Sequence, residues 1–131
     1  MKIKLLLATF LLSAMAAFAH HSFSMFDSTK IVTLTGTIKE FQWTNPHTLT
    51  FIDVPNADGN GTTTWGIEGM SPNYLGRRGW TKTTLKPGDK VTINIFPLKE
   101  AKKGGTFLTV KLADGKEMVM LPATAGASLP Q

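Results

Sequence analysis

Residues 30–43 read KIVTLTGTIKEFQW, and the pattern of apolar side chains in this stretch decides the fold. From Val32 to Ile38 the apolar residues fall on even-numbered positions, which would place them on one face of a β-strand. Further along they fall on odd-numbered positions, at Phe41 and Trp43. This reversal predicts a β-bulge within a long, bent first strand, and such a strand is typical of a small closed barrel.

Turn residues divide the rest of the chain into further strands and one helix. The predicted strands are 30–43, 47–54, 62–69, 90–98, 106–112 and 117–121. Ser71 can cap a short helix with Pro72 at its first position, ending near Gly76 or Gly79. The order of these elements predicts an all-β fold, a small OB-like Greek-key β-barrel with one short helix. The order is three strands, a helix, two strands and an added hairpin arm. An open β-sandwich is the alternative. Gly36 in the first strand would permit a close backbone approach.

The first 19 residues have the features of a cleavable secretory signal peptide. Lys2 and Lys4 precede an apolar run, and small residues favour cleavage after Ala19, with Ala16 as the second choice. The run is too short for a membrane span, which needs about 20 apolar residues. We therefore expect a periplasmic or secreted protein with no membrane span. The predicted organisation is a signal peptide at 1–19, an N-terminal segment at 20–29, a β-barrel domain at 30–121 and a flexible tail at 122–131.

The composition excludes several classes of function. The chain has no Cys, so disulfides, thiolate metal sites and thiol catalysis are excluded. The formal net charge of +5 includes Lys2 and Lys4, and the other basic residues are scattered, so a nucleic-acid partner is not expected. The sequence contains no Gly-x-Ser-x-Gly elbow, phosphate loop or His-Glu-x-x-His motif. An enzyme therefore ranks behind the two binding functions described next.

Cleavage after Ala19 would expose a metal-chelating group at the new N-terminus. The free amine and the ring of His20 could close a chelate around one ion, and copper leads the divalent ions in affinity for such nitrogen ligands. The chain has three His, and the third, His47, follows a predicted turn. The His20 amine and the rings of His20 and His47 would form a T-shaped site, with His21 as an auxiliary ligand. We therefore predict a periplasmic metal-binding protein, with copper as the expected ion. The alternative is a solvated His pair and a His47 that bonds within its own loop.

A second set of residues favours a different function, a non-catalytic binding module for a small ligand, an envelope polymer or a partner protein. Small barrels bind ligands on one face and in adjoining loops. The set comprises Trp43, Asn45, Trp65, Glu68, Tyr74, Arg77 and Arg78. The alternative for the rings, and for Trp80, is packing in the core. The alternative for Glu68 is a solvated side chain or an ion pair with Arg77.

Two His-bearing runs, HHSFSMFD at 20–27 and FQWTNPH at 41–47, are the most specific motifs of the chain. Together with LTGT at 34–37, SPN at 71–73, RGW at 78–80 and KPGDKVT at 86–92, they cover nearly the whole predicted mature chain. In these motifs the chain resembles an uncharacterised family of short exported bacterial proteins, a domain of unknown function. The resemblance implies an exported location and a small β domain, and it supplies no activity. This chain departs from the family at 48–50, Thr-Leu-Thr, where more aromatic character is expected.

Overall fold

A computed structural model describes residues 23–122. Within this range lie six strands and one helix. They are β1 (Val32–Gln42), β2 (Leu49–Pro55), β3 (Thr62–Glu68), α1 (Pro72–Gly76), β4 (Lys90–Pro97), β5 (Gly104–Lys111) and β6 (Glu117–Val119). Every strand begins and ends within two residues of its predicted bounds.

The strands form one sheet that closes on itself. Neighbouring strands follow the order β3–β2–β1–β4–β5–β6, and a parallel pairing of β3 with β5 closes a barrel of five strands. The helix lies between β3 and β4 in the chain, which together with this order confirms the predicted OB-type barrel over the open sandwich. Strand β6 pairs with β5 outside the closed barrel.

Strand β1 contains the predicted bulge. Its register with β2 shifts between Ile38 and Glu40, so the side chain that packs against the core changes from Ile38 to Phe41. Gly36 lies at a close approach of β1 to β2, because a Cβ at this position would collide with the carbonyl oxygen of Asp53. The bulge and this close approach both confirm the predictions made for the first strand.

Two apolar clusters stabilise the fold. The larger one fills the barrel and takes in Leu34, Ile38, Ile52, Ile67, Leu75, Trp80, Leu85, Val91, Ile93, Ile95, Phe107, Val110 and Met120. The smaller one consists of Phe26, Phe96, Leu108 and Leu121. Adjacent residues of β4 serve different clusters, since Ile95 belongs to the larger and Phe96 to the smaller. The smaller cluster therefore lies on the opposite side of β4 from the barrel interior and covers the sheet with the N-terminal segment.

Helix α1 and the residues after it add Leu75, Trp80 and Leu85 to the larger apolar cluster. Ser71 caps the helix by accepting a hydrogen bond from the Tyr74 amide at 3.2 Å, as its sequence predicts. Trp80 is 2 % exposed, and its indole N–H donates to the carbonyl of Val119 at 3.0 Å, so it belongs to the core. Among residues 23–122, no helix has the length and apolar character to cross a bilayer.

Candidate functional site

The ring of His47 is held in one orientation by the residue that follows β3. His47 lies two residues before β2, and its Nδ1 is 3.1 Å from the carbonyl oxygen of Gly69. Because a carbonyl oxygen only accepts, Nδ1 carries the hydrogen, and Nε2 of the neutral ring keeps its lone pair. The side chain is 44 % exposed, so solvent and solutes can reach the ring.

The backbone around His47 is fixed by hydrogen bonds between the ends of β2 and β3. The Gly69 amide donates to the carbonyl of Thr48 at 2.8 Å, and the Thr48 amide donates to the carbonyl of Met70 at 3.2 Å. The buried Thr48 hydroxyl also donates to the Met70 carbonyl, at 2.9 Å. A Cβ at Gly69 would collide with the sulfur of Met120 and with Thr48, so only glycine fits here. The acceptor that orients the imidazole is therefore itself rigidly placed.

Glu68 faces the free nitrogen of His47. It is the last residue of β3, and its Oε1 lies 3.5 Å from Nε2 of His47. Its side chain is 30 % exposed. The sequence offered Arg77 as the ion-pair partner, but the structure places the carboxylate against the imidazole. His47 and Glu68 thus form a half-exposed pair at the ends of two adjacent strands.

An open cavity of about 220 Å³ joins Glu68 to the N-terminal segment. Its walls are Met25, Phe26, Leu49, Gly66, Glu68, Leu98 and Gly105. The segment is held there by main-chain hydrogen bonds, from the Lys99 amide to the Met25 carbonyl at 2.9 Å and from the Asp27 amide to the Pro97 carbonyl at 2.8 Å. Residues 25–27 therefore lie along the barrel wall, and Met25 and Phe26 share the cavity with Glu68.

The predicted N-terminal ligands lie outside the described residues. This holds for His20 and His21, for the predicted cleavage site and for the tail after residue 122. Phe23, the first residue described, packs against the smaller apolar cluster. Two residues lie between His20 and Phe23, and the three Cα–Cα steps span at most about 10–11 Å. Among residues 23–122, no group of three or more His, Asp or Glu side chains is placed to hold a metal ion.

The aromatic residues of the second predicted set lie in different places. Trp43 is half-buried and meets Phe41 edge to face, with ring centroids 5.8 Å apart. Trp65 packs against the barrel core, and the ammonium of Lys103 lies 5.1 Å from its ring centroid. By strand alternation, Trp65 and Glu68 lie on opposite faces of β3. Trp65 therefore does not share one surface with the carboxylate.

The helical members of that set do meet one another. The guanidinium of Arg78 lies 3.7 Å from the centroid of the Tyr74 ring, a cation–π contact, while Arg77 and Asn45 are exposed. A ligand that stacks on the covered face of Tyr74 would have to displace Arg78. The binding-module function stays a prediction.

The pairing of His47 with Glu68 is the feature that sequence reasoning missed. The predicted strands 47–54 and 62–69 would pair Leu49 with Ile67, whereas the structure pairs Pro55 with Thr62 and so places Leu49 opposite Glu68. His47, two residues before Leu49, then falls on the same face as Glu68.

Fold and site together define a small OB-type β-barrel with an imidazole–carboxylate pair at the ends of β2 and β3. The chain belongs to DUF6152, a family of unknown function, whose sequence model matches residues 9–108. The match spans both His-bearing runs and confirms the resemblance to an uncharacterised family. Comparisons with curated proteins and with solved structures gave no match.

Proposed function

We propose that this protein is an exported metal-binding protein of the periplasm or the extracellular medium that holds or passes on copper without catalytic turnover. The ligands are the amine and ring of His20 and the ring of His47, with His21 as an auxiliary ligand. The proposal requires export and cleavage after Ala19, which would free the His20 amine. The observation that carries it is the oriented ring of His47, whose side chain is 44 % exposed.

The surroundings of His47 support a role as a ligand. Metal-bound imidazoles almost always donate their second N–H to a carbonyl, carboxylate or water, which fixes the tautomer and the ring orientation. His47 makes this bond to Gly69, whose own position is fixed by the tie between β2 and β3. An imidazole in that state needs neither a tautomer change nor a new ring orientation before Nε2 binds an ion.

The path of the N-terminal segment supports the participation of His20. Met25 and Phe26 line the cavity that Glu68 also lines, and Glu68 contacts His47. Residues 21 and 22 lie between His20 and Phe23, which packs against the smaller apolar cluster, so an extended chain keeps His20 within about 10–11 Å of Phe23. This tether keeps the proposed N-terminal ligands on the side of the barrel where the segment docks.

The amine is tested by a change of one residue. Processed protein, its first residue established by mass spectrometry as His20, is titrated with Cu(II) against a competing chelator. A version with one added N-terminal alanine keeps every side chain and loses only the α-amine of His20 as a ligand. We expect affinity to fall by at least about tenfold, because removing even an outer-shell partner commonly costs that much. The control carries the added alanine at the C-terminus and should bind as the unmodified protein does.

The His47 ligand is tested by His47→Ala, for which we expect a loss of similar size, and His21→Ala should cost less. Equal Cu(II) affinity of the N-terminally lengthened and unmodified proteins would exclude the amine. A first residue other than His20 in the exported protein would overturn the proposal as a whole.

A further inference from the structure

The contact between His47 and Glu68 leaves two hydrogen-bond acceptors facing each other. With its hydrogen on Nδ1, the neutral His47 ring presents a lone pair at Nε2, and an ionised carboxylate only accepts. A metal ion placed near both atoms would accept a lone pair from each of them. The separation of 3.5 Å is longer than the 2.7–2.9 Å typical of a charge-assisted N–H···O bond.

The same separation fits two ligands of one metal ion. Zinc lies about 2.0–2.1 Å from imidazole nitrogen and about 2.0–2.2 Å from carboxylate oxygen. At ligand–metal–ligand angles from about 90° to about 120°, these lengths place nitrogen and oxygen about 2.8–3.7 Å apart. The observed 3.5 Å lies within this range.

Both side chains extend from well-anchored backbone. Glu68 is paired with Leu49 on one side and with Thr106 on the other, where β3 and β5 close the barrel. The Thr106 hydroxyl also donates to the carbonyl of Glu68, at 3.4 Å. Because His47 is fixed through Gly69, the two ligand atoms come together without a change in the backbone.

We infer that Glu68 supplies a carboxylate ligand beside His47 and that the shared site takes a divalent ion, Cu(II) or Zn(II), in preference to Cu(I). This inference rests on the proposed function and adds a ligand and an oxidation state to it. Mixed nitrogen and oxygen ligands suit Cu(II), whereas thioether and thiolate ligands select Cu(I). The thioether of Met25 lines the same cavity, so a site built on Met25 is the competing arrangement.

The test compares Glu68→Gln with Glu117→Gln in processed protein. Gln keeps the size of Glu and removes the charge, and the exposed Glu117 on β6 provides a matched control. Cu(II) affinity is measured by chelator competition, and Cu(I) affinity by competition with a Cu(I)-selective chelator under reducing conditions. We expect Glu68→Gln to weaken Cu(II) binding by at least about tenfold and Cu(I) binding by less than about threefold. Glu117→Gln and Met25→Leu should leave both affinities within about twofold.

Each alternative gives a different result. If Glu68→Gln binds Cu(II) as tightly as the unmodified protein, Glu68 is not a ligand and the inference fails. If it weakens Cu(II) and Cu(I) equally, Glu68 only positions His47, and the inference fails as well. If Met25→Leu weakens Cu(I) binding and the unmodified protein prefers Cu(I), the site is built on Met25 and the inference about Glu68 fails. The proposed function fails separately, when the N-terminally lengthened protein binds Cu(II) as tightly as the unmodified one.

Discussion

Phe26→Ala should detach the N-terminal segment from the barrel and thereby weaken metal binding, although Phe26 supplies no ligand. Phe26 is 6 % exposed and packs with Phe96, Leu108 and Leu121. The Phe23 ring lies edge to face with it, with ring centroids 5.8 Å apart. Its main chain also bridges to Leu98, just after β4. These contacts are what hold the segment beside Glu68.

The size of the effect follows from this burial. Phe→Ala substitutions in a packed core cost about 3–5 kcal/mol, which combines the lost transfer free energy with the cavity left behind. The segment precedes β1 and can detach without unfolding the barrel, so the loss cannot exceed the free energy that docks it. We therefore expect the lower end of that range, about 3 kcal/mol of unfolding free energy.

Denaturation by urea, with Met25→Ala as the control, measures this loss. Met25 belongs to the same segment but is 47 % exposed, and its truncation should cost no more than about 0.5 kcal/mol. Hydrogen exchange at the amides of Asp27 and Lys99, which tie the segment to the barrel, reports local detachment directly. In processed protein, Phe26→Ala should also lower Cu(II) affinity.

Two results would refute this reasoning. One is a cost below about 1 kcal/mol with unchanged exchange protection at both amides, since the segment would then be held by something other than Phe26. The other is clear detachment of the segment with unchanged Cu(II) affinity, which would remove the N-terminal ligands from the site while leaving the barrel structure intact.

Three further changes test neighbouring parts of the structure. The added methyl group of Gly69→Ala would collide with Met120, so this variant should lose about 1–3 kcal/mol of unfolding free energy in urea, and a variant of unchanged stability would contradict the packing. Gly69→Ala should also weaken Cu(II) binding, since the Gly69 carbonyl orients the imidazole of His47. Trp80→Phe removes a buried indole N–H and part of the ring volume, and it should lower the unfolding free energy by about 2 kcal/mol in thermal unfolding. An unchanged stability would show that the ring is not part of the core. Hydrogen bonds from Thr29 lower the pKa of Asp27 below its ordinary 3.8, so ionised Asp27 stabilises the fold above pH 3.8 and loses this contribution as the pH falls through its native pKa. The loss of unfolding free energy caused by Asp27→Asn should therefore shrink below pH 3.8, and a loss that does not change with pH would exclude this linkage.

Local signals were sufficient to predict the barrel. The change of parity in β1 follows from the side chains of that strand alone, and the bulge lies where the parity changes. Ser71 and Pro72 likewise determine where α1 begins, because the Ser71 side chain caps the helix and Pro72, which has no N–H, suits its first position. Because each element is recognised from its own residues, the order of elements was enough to select the OB-type barrel.

The candidate site could be predicted only in part, because its residues meet through long-range pairing. His47 was recognised as a candidate ligand from its position after a turn. Its neighbour Glu68 is brought to it by the register of the β2–β3 hairpin, and a slip of one residue would move Glu68 to the other face of the sheet. The docking of Phe26 against Leu98 had no local signal, so the sequence left 20–29 as a separate segment.

The approach of the N-terminal segment to Glu68 is a consequence of how the barrel closes. Gly66 of β3 pairs with Gly104 of β5, and a Cβ at Gly104 would collide with the Gly66 carbonyl and with the Leu98 side chain. The glycine therefore lets Leu98 lie against the closing strands, and the Leu98 amide donates to the Gly104 carbonyl at 3.0 Å. The N-terminal segment bridges to Leu98 and so lies beside β3, whose last residue is Glu68. The same β3–β5 pairing that completes the barrel thus places Met25 and Phe26 beside the cavity that Glu68 lines, and a bulky residue at Gly104 should disturb the barrel and the docked segment together.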